Sequence, residues 1–195
     1  MNLDVVILAG GRGTRLAGVW DGPKCLVPVA GRSVLQRLLE EAGRLSPRRI
    51  ILSLGYRANE VVRTLAERRV GYAPVLISYD NDLSGTTQAL RHTLLHARFP
   101  LLVLNGDTLP GYGLAGLVLH DERSELTESS VAWCRGQYAG AAFLNGPFAQ
   151  RLLTESDAQN LETLLLSLPR YYVEEYLDVG TPERFSYATS LKEYP

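Results

Sequence analysis

This chain lacks the marks of a disulfide scaffold, a membrane protein and a nucleic-acid binder. Its 195 residues hold two cysteines, Cys25 and Cys134. Two is too few for a disulfide framework, so a reducing compartment fits. No apolar run approaches the length of a membrane span. The opening Met1-Asn2-Leu3-Asp4 lacks the basic segment of a secretory signal. The cytoplasm is the expected location, with no membrane partner. A basic excess is also missing, since the net charge is -1. Duplex-binding surfaces normally carry that excess, so nucleic acid is not an expected partner. Small anionic substrates need only a local cluster of cations and amides. With 46% hydrophobic and 21% charged residues, the composition is that of a folded globular chain. One domain over residues 1–195 is the simplest account.

Strand and helix signals alternate along the first half. Leu3 to Leu8, apolar except for Asp4, reads as a strand buried on both faces. Apolar residues then recur at helical spacing from Ser33 to Leu45, with Ser33 placed to cap the start. The same reading predicts strands at Arg49–Leu54, Pro74–Tyr79 and Leu101–Leu104. It predicts helices from Val61 to near Gly71 and from Thr87 to Ala97. Further on, Ser130–Cys134, Ala139–Leu144 and Tyr171–Leu177 read as strands. Phe148–Leu153 and Leu161–Leu168 read as helices, and Thr181-Pro182 opens a terminal helix reaching about Leu191. The pattern predicts a Rossmann-like α/β fold: three α/β/α layers around a mostly parallel central sheet.

The segment Leu8-Ala9-Gly10-Gly11-Arg12-Gly13-Thr14-Arg15-Leu16 follows the first strand directly. Its glycines let backbone amides approach an oxyanion, and Arg15 offers a planar cation suited to phosphate oxygens. Pro23-Lys24 adds a second cation on a stiffened loop. Two familiar phosphate loops fail on spacing. A dinucleotide fingerprint needs glycine where Leu16 stands, and a Walker loop needs Gly-Lys-Ser/Thr.

Asn105-Gly106-Asp107 ends a buried strand on the edge where ligands of parallel sheets bind. An aspartate there can hold Mg²⁺, which needs only one or two protein carboxylates besides phosphate oxygens and waters. It can equally be a turn aspartate accepting local backbone hydrogen bonds. Asp178, in Tyr176-Leu177-Asp178-Val179-Gly180-Thr181-Pro182-Glu183, also ends a predicted strand, and it can equally be a hydrogen-bond acceptor for the turn at Gly180.

The glycine loop, Pro23-Lys24, Leu26-Val27-Pro28-Val29 and Gly31 together resemble the N-terminal signature of the sugar-phosphate nucleotidylyltransferases. The segments around Asp107 and Asp178 resemble that family's two metal-binding segments. The resemblance runs from about Leu3 to about Tyr187. It implies a transferase joining a nucleoside triphosphate to a sugar 1-phosphate. The implied loop residues Leu8, Ala9, Gly10, Gly11, Gly13, Thr14 and Gly106 bind the nucleotide. Arg15 stabilises departing pyrophosphate, Lys24 contacts the reacting phosphates, and Asp107 with Asp178 coordinates catalytic Mg²⁺. Gly85-Thr86 resembles a base-pocket segment, although Leu83 and Ser84 depart from it. On residues alone it is simply a helix start. Ser53-Leu54-Gly55-Tyr56-Arg57 and the C-terminal segment look nearest to enzymes making GDP-mannose or GDP-heptose. A homodimer is allowed for.

Two departures concern this resemblance. Cys25 stands where the family commonly has proline, and reads as a small packed residue. A Glu-Lys-Pro segment that grips the sugar phosphate is missing. Tyr138-Ala139-Gly140 resembles what is left of a sugar-site motif, which implies sugar binding at Gly140; Arg135 is a candidate replacement cation, or else a solvated arginine in a turn. Rival readings are a molybdenum-cofactor guanylyltransferase and a nucleotide-binding regulatory domain without turnover. His92 and His96 share a helix face without a third metal ligand, so both are expected on the surface. Arg48-Arg49 and Arg68-Arg69 are expected to face solvent. Tyr171, Tyr172 and Tyr176 are expected to serve a strand and the core.

Overall fold

The structure is a computed structural model. It describes residues 2–66, 73–80, 85–111, 114–122, 129–154 and 161–194. The elements in chain order are β1 (Asp4–Leu8), β2 (Pro28–Val29), β3 (Arg32–Ser33), α1 (Val34–Arg44), β4 (Arg49–Leu54) and α2 (Ala58–Ala66). Then come β5 (Val75–Tyr79), α3 (Thr86–Leu94), β6 (Leu101–Asn105), β7 (Thr108–Leu109) and α4 (Leu114–Glu122). The chain continues through β8 (Ser130–Cys134), β9 (Gln137–Leu144), α5 (Gly146–Thr154) and α6 (Leu161–Leu165). It finishes with β10 (Arg170–Tyr172), β11 (Leu177–Asp178) and α7 (Pro182–Ser190).

Seven strands form one sheet in the order β10-β8-β9-β6-β1-β4-β5. Within it β1 pairs in parallel with β4 and β6, β4 with β5, and β10 with β8. Strand β9 alone among these runs antiparallel to its neighbours, β6 and β8. Because strand side chains alternate, β1 sends Val5 and Ile7 to one face and Val6 to the other. The first face packs with Leu35, Leu38 and Leu39 of α1, Val61 of α2, Leu117 of α4 and Ala188 of α7. The second packs with Leu90 and Leu94 of α3, Phe148 and Leu152 of α5, and Leu161 of α6. The three layers and mostly parallel sheet are those expected.

Local signals also hold. Ser33 and Gln36 form a reciprocal capping box at α1: the Ser33 hydroxyl accepts from the Gln36 amide at 3.2 Å, and Gln36 Oε1 accepts from the Ser33 amide at 2.9 Å. At α7, Thr181 is the cap and Pro182 lies in the first turn.

Several expectations are corrected. Tyr171–Leu177 is not one strand but parts of two, because β10 joins the large sheet and β11 pairs instead with β7. Tyr172 accordingly lies 71% exposed rather than in the core. The helix expected over Leu161–Leu168 ends at Leu165. The β2–β3 hairpin and α4 had not been anticipated. Arg48 and Arg49 do not simply face solvent. Each donates Nε to the fully buried carboxylate of Asp4 at 2.9 Å, and the Arg98 amide donates to it at 2.8 Å. Burying that charge requires this degree of compensation. His92 and His96 are exposed as expected. Gly71, Leu83, Ser84, Arg68 and Arg69 lie outside the described residues. No described helix is long and apolar enough to cross a membrane.

Candidate active site

Parallel strands β1 and β6 deliver their carboxyl ends side by side. Leu8 lies opposite Asn105, and the Gly106 amide donates to the Leu8 carbonyl at 2.9 Å. A Cβ on Gly106 would sit 2.7 Å from that carbonyl oxygen, so only glycine permits the approach. Beyond β1, the glycine loop is tied to β4. The Ala9 amide donates to Ser53 at 2.8 Å, and the Tyr56 amide to Gly10 at 2.9 Å. A short 3₁₀ turn, Thr14–Leu16, then presents Arg15 on the surface while burying Leu16.

The short ladder between β7 and β11 joins the two acidic segments. Asp178 is registered with Thr108, and the Val179 amide donates to the Asp107 carbonyl at 3.0 Å. Asp107 and Asp178 thus come from distant parts of the chain to line one cavity of about 470 Å³. Arg15, Trp133, Gln137, Tyr138, Gly140 and Arg184 also line it. A second cavity, also about 470 Å³, is lined by Leu8, Ala9, Gly10, Gly11, Arg12, Lys24, Asp80, Gly85, Thr86 and Gly106. Arg15, Asn105 and Asp107 line both cavities, which therefore meet at those residues.

Each carboxylate has a cation. Lys24 Nζ is 2.9 Å from Asp107 Oδ2, while Asp107 Oδ1 accepts from Thr108 at 3.2 Å. Asp178 Oδ2 pairs with Arg184 Nη1, and Asp178 Oδ1 accepts from the Gly180 amide at 2.6 Å. Arg15 extends toward the same turn. A Cβ on Gly180 would lie 3.6 Å from Arg15 Nη2. Beneath Lys24, Cys25 is buried. Desolvation pushes its thiol up to about 12, partly opposed by a backbone hydrogen bond and reinforced by the Asp107 charge. That thiol is inert packing.

The residue pattern fits a divalent cation. Among the described residues no three of His, Cys, Asp and Glu gather as a metal cluster. Two hard carboxylates lining one cavity are nonetheless a set that Mg²⁺ can use alongside substrate phosphates.

Not every anticipated residue meets here. Gly13 packs on the Lys24 side chain, and neither Gly13 nor the exposed Thr14 lines either cavity. Arg135 occupies the exposed turn between β8 and β9. It lines a neighbouring groove with Asp178, Glu183, Arg184 and Tyr187, and does not line the cavity holding Asp107. With Gly136 it forms a two-residue turn, both at positive φ (48° and 86°). Gly140 does line that cavity. Its φ is +77°, and an added Cβ would meet Thr108 Cγ2 at 2.6 Å. Sequence reasoning missed Asp80 and Arg184. Asp80 follows β5 as Asp107 follows β6, so the strand-end rule that selected Asp107 would also have found it.

A domain with a glycine-loop cavity that opens onto a second, acid-walled cavity belongs to the nucleotidyltransferase class of α/β folds. The family model described as the MobA-like NTP transferase domain matches residues 5–165, and the chain belongs to that family. The kinship with sugar-phosphate nucleotidyltransferases read from the motifs stands. The bifunctional protein GlmU of Nitrosomonas eutropha is 31% identical over 216 residues, covering 100% of this chain and 43% of that protein. The chain spans less than half the length of the curated relatives cited. By fold it resembles HddC from Yersinia pseudotuberculosis complexed with GMP-PN, with TM-score 0.77, 24% identity, and 96% and 98% of the two chains covered. It also resembles the Rv0371C complex with manganese from Mycobacterium tuberculosis H37Rv, with TM-score 0.72, 21% identity, and 97% and 98% covered.

Proposed function

We propose that this chain transfers a nucleotidyl group from a nucleoside triphosphate to a sugar 1-phosphate, giving a nucleoside-diphosphate sugar and pyrophosphate. One observation carries the reading. Two cavities of equal size meet on Arg15 and Asp107, one floored by the glycine loop and the other walled by Asp107 and Asp178. That is the layout of a reaction between two bound anions at a shared boundary.

An oxygen of the sugar phosphate attacks the α-phosphorus in line, the α–β phosphoanhydride bond breaks, and pyrophosphate leaves. No protein nucleophile is needed, so rate comes from positioning and charge neutralisation. The glycine loop, with Gly85, Thr86 and Gly106 beside it, receives the triphosphate. Arg15 offsets charge growing on the leaving group. Lys24 orients the reacting phosphates, exchanging its Asp107 partner for a phosphate oxygen. Asp107 and Asp178 would hold Mg²⁺, which would supply Lewis-acid stabilisation and a template for both phosphates.

GTP with heptose 1-phosphate or mannose 1-phosphate is the favoured pair. The likeness to HddC complexed with GMP-PN supports the guanine nucleotide of that pair. A second reading is molybdenum-cofactor guanylyl transfer, favoured by the MobA-like description of the matching family model. The Asp178 segment lies outside the residues that model matches. The test is pyrophosphate release when the chain is mixed with each triphosphate, Mg²⁺ and a panel of sugar 1-phosphates. Release with a sugar phosphate supports the first reading. Release only with the molybdenum cofactor's phosphate-bearing pterin supports the second, and no release with either points to a nucleotide-binding domain without turnover.

A further inference from the structure

Sequence reasoning offered Arg135 as a candidate cation for the second substrate. Arg135 and Arg184 both line a groove with Asp178, and of the two only Arg184 also lines the cavity of Asp107 and Gly140. That cavity has two cationic side chains, Arg15 and Arg184. Arg15 also lines the glycine-loop cavity, where a triphosphate would engage it; Arg184 does not. A phosphate monoester carries close to two negative charges near neutral pH, so a bound sugar phosphate calls for a cation of its own.

Local structure says that Arg184 is placed against its helix. It is the third residue of α7, after Pro182 and Glu183, so its charge lies at the positive end of the helix dipole. A capping-box helix carries glutamate or glutamine there. Asp178 offsets the charge through one nitrogen, Nη1. Nε and Nη2 make no hydrogen bond to any described residue, leaving a planar donor edge for an oxyanion. Rules broken at one residue without a packing reason are a mark of function.

We infer that Arg184 is the phosphate-binding residue for the sugar 1-phosphate, taking the role of the absent Glu-Lys-Pro lysine; this rests on the transfer reaction proposed above. When Asp178 turns to a divalent cation or to substrate, the Arg184 guanidinium turns to the phosphate. The sugar ring then lies toward Tyr138, Gly140 and Tyr176, which line that cavity and not the glycine-loop cavity.

The experiment compares wild type with Arg184→Gln and Arg184→Lys. Steady-state pyrophosphate release gives KM separately for the triphosphate and for the best sugar 1-phosphate of the panel. Calorimetry titrates glucose 1-phosphate, mannose 1-phosphate and unphosphorylated mannose into the nucleotide-free chain. Arg184→Gln should raise the sugar-phosphate KM about 10- to 100-fold and leave the triphosphate KM within about twofold. Arg184→Lys should recover part of that loss, as it keeps the charge and loses the fork. Wild type should bind the phosphorylated sugars and not free mannose. An unchanged sugar-phosphate KM in Arg184→Gln, with active wild type, overturns the assignment and leaves the transfer reaction standing. Parallel rises in both KM values with a lower thermal midpoint mean a structural role, and also overturn it. Sugar-phosphate binding lost in Arg184→Gln, from a wild type without turnover, supports the phosphate site while refuting the transfer reaction. A wild type that neither binds nor converts any sugar phosphate overturns both.

Discussion

Replacing Asp4 tests whether stability and chemistry occupy opposite edges of the sheet. Asp4 opens β1, its carboxylate is wholly buried, and it receives Arg48, Arg49 and the Arg98 amide. Those same arginines reach onward: Arg48 Nη2 donates to the Arg98 carbonyl at 2.7 Å and Arg49 Nη2 to His96 at 2.5 Å. One carboxylate therefore ties the amino ends of β1 and β4 to the loop entering β6. Asp4→Ala removes the acceptor and leaves two facing guanidinium groups. Breaking a buried pair this way costs about 3–5 kcal/mol. The two arginine side chains are 25% and 23% exposed and can rehydrate, which places the expected loss at about 3–4 kcal/mol. At about 2–4 °C per kcal/mol, the melting midpoint should fall by roughly 6–16 °C. Urea melts followed by tryptophan fluorescence give the free energy, and pyrophosphate release at low temperature gives kcat and both KM values. Those kinetic values should stay within about twofold of wild type, because Asp107 and the glycine loop lie at the carboxyl ends of the strands. A stability loss below about 1 kcal/mol, or collapsed turnover in a chain as stable as wild type, would refute the reasoning.

Other outcomes follow from the site itself. Asp107→Asn should keep the wild-type melting midpoint within a few degrees and lose turnover by at least about a hundredfold; near-normal pyrophosphate release would remove Asp107 from the mechanism. Gly140→Ala must place a methyl 2.6 Å from Thr108 Cγ2 at a φ of +77°. It should cost about 1–3 kcal/mol in a urea melt and raise the sugar-phosphate KM, and an unperturbed variant would count against the packing described. Both cysteines are buried, so a thiol reagent at pH 8 should label the folded chain slowly and both thiols rapidly in urea. Cys25 is raised from its ordinary value of 9.0 to about 12 in the fold, so the unfolded thiol ionises first. Its contribution to stability is intact below pH 9 and falls between pH 9 and 12, by about 1.4 kcal/mol per pH unit. Cys25→Ala should flatten that slope, and identical pH dependence in the two chains would rule the thiol out as its source.

Local information carried most of the fold. Apolar runs at Val5–Leu8 and Ile50–Leu52 announced buried parallel strands, and Ser33 and Thr181 announced helix starts through caps that need only neighbouring residues. Features set by distant partners were illegible. The β7 and β11 strands are two residues each, too short for any periodicity, and exist because each supplies the other's hydrogen bonds. Arg48 and Arg49 read as surface residues because nothing near them in sequence reveals Asp4. The glycine loop could be read from Gly10 to Arg15 since its residues are contiguous. The acid-walled cavity draws residues from β7, β9, β11 and α7, so Arg184 carried no signal beyond standing six residues after Asp178.

Strand β9 has a consequence for how acceptor choice can change. Running against its neighbours, it begins at the tight Arg135–Gly136 reversal, and Gly136 and Gln137 line the acid-walled cavity but not the glycine-loop cavity. Hairpin tips absorb inserted residues at small entropic cost. Under the reaction proposed above, lengthening or recolouring this tip would redraw the acceptor side and leave the glycine-loop side as it is. Diversification and engineering could then trade acceptors at one surface bend, with no renegotiation of the nucleotide.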